Sequence, residues 1–283
     1  MIGIFDSGIG GLTVVRAIKK RLPRHDIIYL GDTARTPYGN KTPETVVKYA
    51  LENTDFLIKK GAKIIVMACN TASSVAFDAV KKNFDAPIFE VISPAVASAL
   101  SRPQSKNAKK TAQKKTSPKE TSPKETNKAH FIGVIGTQAT IKSGVYERKI
   151  KEIQPDAHVF SNACPLLVPL VEEGWLNRPE TRMIVKKYLH PLKTRQINTL
   201  ILGCTHYPVL KDLIQKKIGH RVVIVDSPGS SAAAIADYLD ARPDLDSELE
   251  KNGDLRLYAS DLTPQFEKTA KIILKQNPLF QRV

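Results

Sequence analysis

Two cysteines occupy matching positions in two similar stretches of the chain, residues 64–71 and 199–206. In each stretch an apolar run and a small residue precede the cysteine, Cys69 or Cys204, and two polar residues follow it. A single cysteine after a buried strand is often a small core hydrophobe. Two in the same context favour a functional role, and the repeat has two explanations, a duplicated half-site or chance.

Two thiols on opposite sides of a cleft suit one kind of chemistry, the inversion of a stereocentre by proton transfer. One group removes a proton from one face of a carbon, and the other returns a proton to the opposite face. Cysteine fits both roles because its unperturbed pKa of about 8.5 allows either the thiol or the thiolate near neutral pH. A group that titrates near the working pH is also the most effective acid–base catalyst.

Each thiol has a polar neighbour that could assist it. Asp6 ends the first apolar run and could orient or deprotonate Cys69, but a turn residue or a helix N-cap is the alternative. His206 lies two residues after Cys204 and titrates in the useful range, although a satisfied polar residue in a turn is again the alternative. The third cysteine, Cys164, is expected to be structural.

A glycine-rich turn, residues 6–11, connects the first predicted strand to the first predicted helix. Its glycines fall at positions 8, 10 and 11, which fits neither the dinucleotide fingerprint G-x-G-x-x-G nor the phosphate loop. The turn instead offers backbone N–H groups that could bind a carboxylate. A second polar loop, residues 32–39, contains a rigid Pro-Tyr-Gly turn, and an ordinary exposed loop is the alternative there.

The chain alternates short β-branched apolar runs with amphipathic stretches such as Gly11–Arg21 and Pro43–Lys60. Continuous apolar runs are typical of strands buried on both faces of a parallel sheet, so the alternation predicts an α/β fold. Polar residues follow several strands, Thr137 among them, and are expected to converge on one cleft because ligands bind at the carboxyl ends of such strands. The predicted strands are Ile2–Phe5, Ile27–Leu30, Ile64–Met67, Ile88–Val91, Phe131–Ile135, Thr199–Leu202 and Val222–Val225.

The net charge of +15 would favour a polyanionic partner if it were spread over a folded surface. Residues 101–129, however, concentrate much of it, because Arg102 and eight lysines there oppose only Glu120 and Glu125, a net charge of +7. This Lys/Ser/Thr/Pro-rich segment cannot bury enough apolar surface to fold, so it is predicted to be a disordered insertion that binds polyanions weakly. A nucleic-acid-binding protein is the alternative class, but no aromatic residues interleave the basic ones.

The remaining composition is ordinary for a soluble globular protein. The three cysteines are odd in number and far apart, which predicts free thiols and neither a disulfide framework nor a zinc site. No secretory signal and no membrane-spanning apolar run is visible, so a cytoplasmic location without a membrane partner is expected.

Taken together, several short motifs in this order resemble the glutamate racemases of the aspartate/glutamate racemase superfamily. The resemblance covers nearly the whole chain except residues 101–129 and, less clearly, about the last thirty. The matching motifs are D-S-G-I-G-G-L at 6–12, Y-L-G-D-T-A-R at 29–35, P-Y-G at 37–39, A-C-N-T-A-S at 68–73, G-T at 136–137, C-P at 164–165 through V-P-L-V-E at 168–172, and G-C-T-H-Y-P at 203–208.

The resemblance implies a fold of two doubly wound, mostly parallel-sheet α/β domains related by pseudo-two-fold symmetry, with the active site in the cleft between them. It implies that Cys69 and Cys204 interconvert L- and D-glutamate without pyridoxal phosphate, metal or another cofactor, and that the D-glutamate supplies peptidoglycan synthesis. Asp6 and His206 would assist the thiols, and Glu172 would tune His206. The substrate would be held by Asp6, Ser7, Pro37, Tyr38, Gly39, Asn70, Thr71, Thr205 and His206.

The predicted domain boundaries follow from the same pattern. Residues 1–92 form a first α/β domain, which about 205–256 complete, and residues 93–204 form a second that contains the insertion. Residues 257–283 are predicted to be a C-terminal helical segment. An aspartate racemase is the nearest alternative within the enzymes, since it also uses paired cysteines, and a homodimer is a further expectation.

Overall fold

The computed structural model describes residues 1–101 and 130–283. Apart from Ser101, the predicted insertion lies outside the described residues. The strands are β1 Ile2–Asp6, β2 Ile27–Gly31, β3 Ile64–Met67, β4 Ile88–Glu90, β5 Phe131–Gly136, β6 His158–Ala163, β7 Thr199–Gly203, β8 Val223–Asp226, β9 Leu255–Ala259 and β10 Phe280–Arg282.

Helices connect these strands, and three short 3₁₀ helices lie at Thr33–Arg35, Tyr38–Asn40 and Tyr207–Leu210. In residues 1–101 and 130–283 no helix has the length and apolar character needed to span a bilayer. The α-helices are α1 Leu12–Arg21, α2 Pro43–Lys59, α3 Asn70–Val75, α4 Phe77–Asn83, α5 Ile92–Leu100, α6 Gln138–Lys142, α7 Val145–Ile153, α8 Leu167–Glu172, α9 Pro179–Thr194, α10 Lys211–Ile218, α11 Ser227–Asp240, α12 Pro243–Ser247 and α13 Pro264–Leu274.

The strands form two parallel sheets. The six-stranded sheet has the order β10-β9-β2-β1-β3-β4, and the four-stranded sheet has the order β6-β5-β7-β8. Every neighbouring pair is parallel. All seven predicted strands are present within one or two residues of their predicted ends, and the α/β class is confirmed.

Both faces of each sheet are covered by helices, which is why the strands read as continuous apolar runs. Ile4 of β1 packs in a core with α1, α11 and α13, whereas the next residue, Phe5, packs against α2 on the opposite face. In the four-stranded sheet, Leu202 packs with α9 and α10, and Ile201 packs with α5 and α7. Burying one such side chain stabilises the fold by roughly 1.5–3 kcal/mol.

Two details of the predicted domain organisation differ from the structure. The sequence assigns residues 205–256 to the first domain, but β8 in that range pairs with β7 in the four-stranded sheet, because its apolar run continues that ladder. Helix α11, from the same range, does pack on α1. The predicted helical segment 257–283 contains α13, but β10 and most of β9 also lie there and extend the six-stranded sheet beyond β2. The boundaries otherwise stay a prediction.

Candidate active site

A small cavity lies where the carboxyl ends of strands from both sheets meet. From the six-stranded sheet, β1 leads into Ser7 and β3 leads into the segment that holds Cys69; from the four-stranded sheet, β5 leads into Thr137 and β7 into Cys204. The free volume of the cavity is about 10 Å³, room for about one water molecule. It is lined by Ser7, Pro37, Tyr38, Gly39, Cys69, Asn70, Thr71, Thr137, Val168, Cys204, Thr205 and His206.

The structure brings all but two of the predicted site residues to the wall of this cavity. The two exceptions, Asp6 and Glu172, lie behind the wall and contact residues that form it. The Thr205 hydroxyl donates to Asp6 Oδ1 at 3.1 Å, and His206 Nε2 lies 2.6 Å from Glu172 Oε1. Asp6 and Glu172 therefore act on the cavity through other side chains.

Cys204, His206 and Glu172 form a hydrogen-bonded chain. Cys204 Sγ lies 3.7 Å from His206 Nδ1, and His206 is only 2% exposed. Burial disfavours the imidazolium, but hydrogen bonds and charges from Cys204 and Glu172 raise the pKa of His206 well above its usual value. Burial likewise opposes ionisation of Glu172, yet its contact with His206 lowers the pKa of that carboxyl. The chain therefore holds a cation beside the Cys204 sulfur.

Cys69 lies in a different environment. It precedes α3, and its Sγ donates to the Ser7 hydroxyl at 3.5 Å. Burial, followed by the nearby charge of Asp6, raises the pKa of the Cys69 thiol to about 12. The two cavity thiols therefore lie in unequal environments. The raised pKa keeps Cys69 protonated, whereas a cation lies beside Cys204.

Asp6 organises the glycine-rich turn. Its Oδ2 accepts hydrogen bonds from the backbone N–H groups of Gly8 at 3.1 Å and Gly11 at 3.0 Å. Its Oδ1 accepts from Thr205, so the carboxylate joins the first strand of one sheet to the segment after β7 of the other. Burial raises the pKa of Asp6 against the opposing charge of His206. The hydrogen bonds of Asp6 are thus those of a turn residue. The charge of Asp6 also contributes to the raised pKa of Cys69.

The turn itself packs against the histidine because it lacks side chains. A Cβ added at Gly10 would lie 2.5 Å from Thr205 Oγ1 and 2.6 Å from His206 Nδ1, closer than real Cβ contacts. Ile9 also contributes, since its backbone N–H donates to Glu172 Oε1 at 3.3 Å. The glycines therefore bring backbone close enough to fix the Glu172–His206 pair.

The second polar loop is anchored rather than freely exposed. The Tyr38 hydroxyl donates to Asp32 and accepts from Asn53 at 3.0 Å, and Asp32 also pairs with Arg35 at 2.7 Å. The hydroxyl of Tyr38 is thus engaged away from the cavity, which its ring and backbone line. Gly39 closes the contact with the other sheet, where an added Cβ would lie 2.5 Å from Thr137 Cβ.

Amide and hydroxyl groups complete the cavity wall. The hydroxyls of Thr71 and Thr137 lie 2.9 Å apart, and Thr137 is 3.0 Å from Thr140. Asn70 Nδ2 donates to the Tyr146 hydroxyl at 2.9 Å. These contacts cross between the two sheets and hold α3 against the segments that follow β5.

Two lining residues were not among the predicted site residues. Thr137 directly follows β5, so the strand-end rule marks it, although no reactive side chain singles it out. Val168 lies on α8 and offers no polar signal at all. Cys164 is buried in the core of the four-stranded sheet, and its Sγ donates to the Asn162 carbonyl at 3.6 Å, as expected of a structural cysteine.

Comparison with known proteins identifies the family. The model of the Asp/Glu/Hydantoin racemase family matches residues 11–111 and 122–235, which is most of the chain. The chain belongs to the Asp/Glu/Hydantoin racemase family. Within curated sequences, the glutamate racemase of Aquifex pyrophilus is 46% identical over 273 residues, 96% of this chain and 93% of that protein.

Solved structures of family members share the fold. A glutamate racemase isoform from Bacillus anthracis matches with a TM-score of 0.85 and 32% identity, over 100% of this chain and 97% of that one. A glutamate racemase from Francisella tularensis, solved in complex with D-glutamate, matches with a TM-score of 0.84 and 33% identity, over 100% and 96% of the two chains. These matches confirm the resemblance to glutamate racemases and the fold of two parallel sheets.

Within the described ranges, no three or more His, Cys, Asp or Glu side chains are arranged to hold a metal ion. The cavity wall, all of it described, also contains no lysine or arginine. An acidic ligand in this cavity would therefore be bound by hydroxyls, amides and His206.

Proposed function

We propose that this chain is a glutamate racemase in which Cys69 and Cys204 exchange protons with the α-carbon. The observation that carries the proposal is that both buried thiols line one cavity in unequal environments. The family membership and the glutamate racemases among the relatives support the substrate and the reaction class.

The proposed mechanism gives the two thiols different roles at the start of the reaction, and their unequal environments support this assignment. Cys204, beside the buried His206 imidazolium, is the base that removes the α-proton in one direction. Cys69, whose pKa is raised by burial, is the acid that delivers a proton to the other face. The reverse reaction starts from the opposite assignment, and Asp6, whose charge influences the pKa of Cys69, would help that thiol change state.

Glutamate brings two carboxylates and one ammonium group to a cavity without lysine or arginine on its wall. Neutral donors then bind the carboxylates, and the hydroxyls of Ser7 and Thr71 on the wall are candidates, whereas the Thr205 hydroxyl already donates to Asp6. Pro37, Tyr38 and Gly39 also line the cavity, and we propose that they select the length of the substrate side chain. Racemisation of aspartate and glutamate measured in parallel tests this selectivity, and faster turnover of aspartate would contradict it.

The product D-glutamate would supply peptidoglycan synthesis. The cytoplasmic location, the homodimer and weak polyanion binding by the insertion stay predictions.

Serine variants of the three cysteines test the roles of the thiols. Cys69→Ser and Cys204→Ser should each abolish racemisation, because an alcohol neither ionises near neutrality nor replaces the proton exchange of the thiol. Cys164→Ser is the matched control and should racemise glutamate nearly normally. The assay follows the optical rotation and the α-proton NMR signal of L-glutamate in deuterated water.

A glutamate analogue with a leaving group on the β-carbon separates the two half-reactions, since it eliminates after proton removal and needs no acid at the α-carbon. The two variants should prefer opposite enantiomers of it. The same preference in both would contradict thiols on opposed faces, and an active Cys204→Ser with an inactive Cys164→Ser would contradict the assignment of the thiols.

A further inference from the structure

The phenol of Tyr29, in β2, forms a hydrogen bond whose direction is fixed. Its hydroxyl donates to the backbone carbonyl of Gly8 at 2.6 Å, and the side chain is fully buried. A carbonyl only accepts, so the phenol must be the donor. Burial, followed by the nearby charges of Asp6 and Glu172, raises the pKa of Tyr29 well above its usual value, so the phenol keeps its proton. Tyr29 therefore holds the Gly8 carbonyl in one orientation.

The same peptide group has its N–H on Glu172. The bond between Gly8 and Ile9 is trans, so the carbonyl and the following N–H point in opposite directions from one plane. The Ile9 N–H donates to Glu172 Oε1 at 3.3 Å, and this oxygen also lies 2.6 Å from His206 Nε2. One peptide plane thus connects the phenol of Tyr29 to the carboxylate that faces His206.

Tight packing keeps the phenol in this position. Tyr29 and Ile9 belong to the same buried core. A Cβ added at Gly11 would lie only 3.0 Å from Tyr29 Cε2, so the ring lies directly against the glycine-rich turn. The hydroxyl therefore stays on the Gly8 carbonyl.

The direction of the Ile9 N–H affects where the proton of the Glu172–His206 pair resides. Burial disfavours two separated charges, and transfer of the imidazolium proton to the carboxylate would leave both groups neutral. A backbone N–H that donates to a carboxylate stabilises its ionised form, and the Ile9 N–H contributes to the lowered pKa of Glu172. The peptide thus favours the state in which His206 keeps the proton.

We propose that Tyr29 is a positioning residue that holds the Gly8–Ile9 peptide with its N–H on Glu172, and so keeps His206 an imidazolium beside Cys204. A hydrogen bond to the carbonyl also polarises the peptide and strengthens its N–H as a donor. The inference rests on the proposed function, because the imidazolium matters there as the partner of Cys204. Tyr29 does not line the cavity, so its effect passes through the peptide.

The test measures the protonation of His206 by nitrogen NMR of protein labelled at histidine, with the His206 signals assigned by their loss in His206→Gln. Tyr29→Phe removes the hydroxyl and keeps the ring. The acid dissociation constant of His206 should rise about fivefold, the size expected for loss of one neutral hydrogen bond. The kcat/KM should fall by about the same factor in the direction in which Cys204 is the base. The other titratable groups that influence His206, Cys204 and Asp6, stay in place.

Two controls separate positioning from general loosening of the structure. Tyr258→Phe removes another largely buried phenol from β9, the strand beside β2, on the opposite face of the sheet, and should leave the His206 constant within about twofold. In a Glu172→Gln background, Tyr29→Phe should also change that constant less than about twofold, because no carboxylate remains for the peptide to keep ionised.

The inference is overturned if the His206 constant stays within about twofold in Tyr29→Phe, changes equally in Tyr258→Phe, or still rises about fivefold in the Glu172→Gln background. If Tyr29→Phe does not fold, Tyr29→fluorotyrosine with the fluorine ortho to the hydroxyl replaces it. This more acidic phenol donates more strongly, so the constant should fall, and a constant that is unchanged or rises would overturn the inference. The titrations need no turnover, so a folded wild-type protein that racemises no glutamate would overturn the proposed function alone.

Discussion

Glu172→Gln tests whether a carboxylate sustains the cation beside Cys204. In the structure, His206 Nε2 lies 2.6 Å from Glu172 Oε1. The substitution keeps the shape of the side chain and an oxygen acceptor for His206 Nε2, but it removes the negative charge. Two unit charges about 4 Å apart at an effective dielectric constant of about 20 interact by about 4 kcal/mol, which is an upper bound. A hydrogen bond to a charged group contributes about 1.5–3 kcal/mol, so we take about 2 kcal/mol for the loss.

This loss predicts two measurable changes in Glu172→Gln. The kcat/KM should fall about 30-fold in the direction in which Cys204 is the base, since each 1.36 kcal/mol is a factor of ten. The pKa of His206 is raised by Glu172, so removing the charge lowers it, and the imidazolium is lost at lower pH. The alkaline limb of the pH–kcat/KM profile should therefore move to lower pH.

The assay measures kcat/KM from pH 6 to pH 10 for both enantiomers of glutamate. Glu173→Gln is the matched control, because it removes the same charge from the adjacent, exposed position. An alkaline limb that stays in place in Glu172→Gln, or that moves as far in Glu173→Gln, would refute the proposed role of the Glu172–His206 pair.

Three further predictions follow from the site and the insertion. Gly10→Ala should lower kcat/KM more than about tenfold in steady-state assays, because its Cβ would displace Thr205 and His206, whereas Gly229→Ala, where the nearest atom is 3.7 Å from the added Cβ, should not. Replacing residues 101–129 with a short Gly-Ser linker should leave kcat and KM within about threefold, and inactivity of the folded variant would show that the segment contributes to the site. Protein dialysed against a chelator should racemise glutamate as fast as untreated protein, and activity that disappears and returns with added metal would contradict cofactor independence.

The parts of the fold that were predictable are those buried on both faces. Strands such as β1 and β3 are continuous apolar runs because helices cover both sides of the sheet, and this pattern is visible without a structure. The strands that escaped prediction are β6, β9 and β10. β6 is an edge strand without a buried residue, β9 begins with a half-buried and an exposed residue, and β10 has only three residues at the edge of its sheet, so none of them produces a long apolar run.

The candidate site was predictable where the chemistry lies in side chains that follow strands. Cys69, Cys204 and His206 carry reactive groups at such positions, so residue type and position agree. The partners of those groups were harder to predict from the chain order alone. Glu172 meets His206 across 34 residues, and Tyr146 meets Asn70 across 76, and only the packing of helices between the sheets brings these pairs together.

The small volume of the cavity determines how a ligand can reach the thiols. Because the cavity has room for about one water molecule, we expect the segments that follow the strands of the two sheets to move apart when glutamate enters. The observed association rate then reaches a plateau at high substrate concentration, set by the frequency of separation. Alkylating reagents need the same movement to reach the thiols. Their rates of reaction with Cys69 and Cys204 should therefore report the fraction of the free protein in which the cavity is open. A ligand that contacts the segments of both sheets should slow alkylation of Cys69 and Cys204 in proportion to the fraction of time for which it keeps the cavity closed.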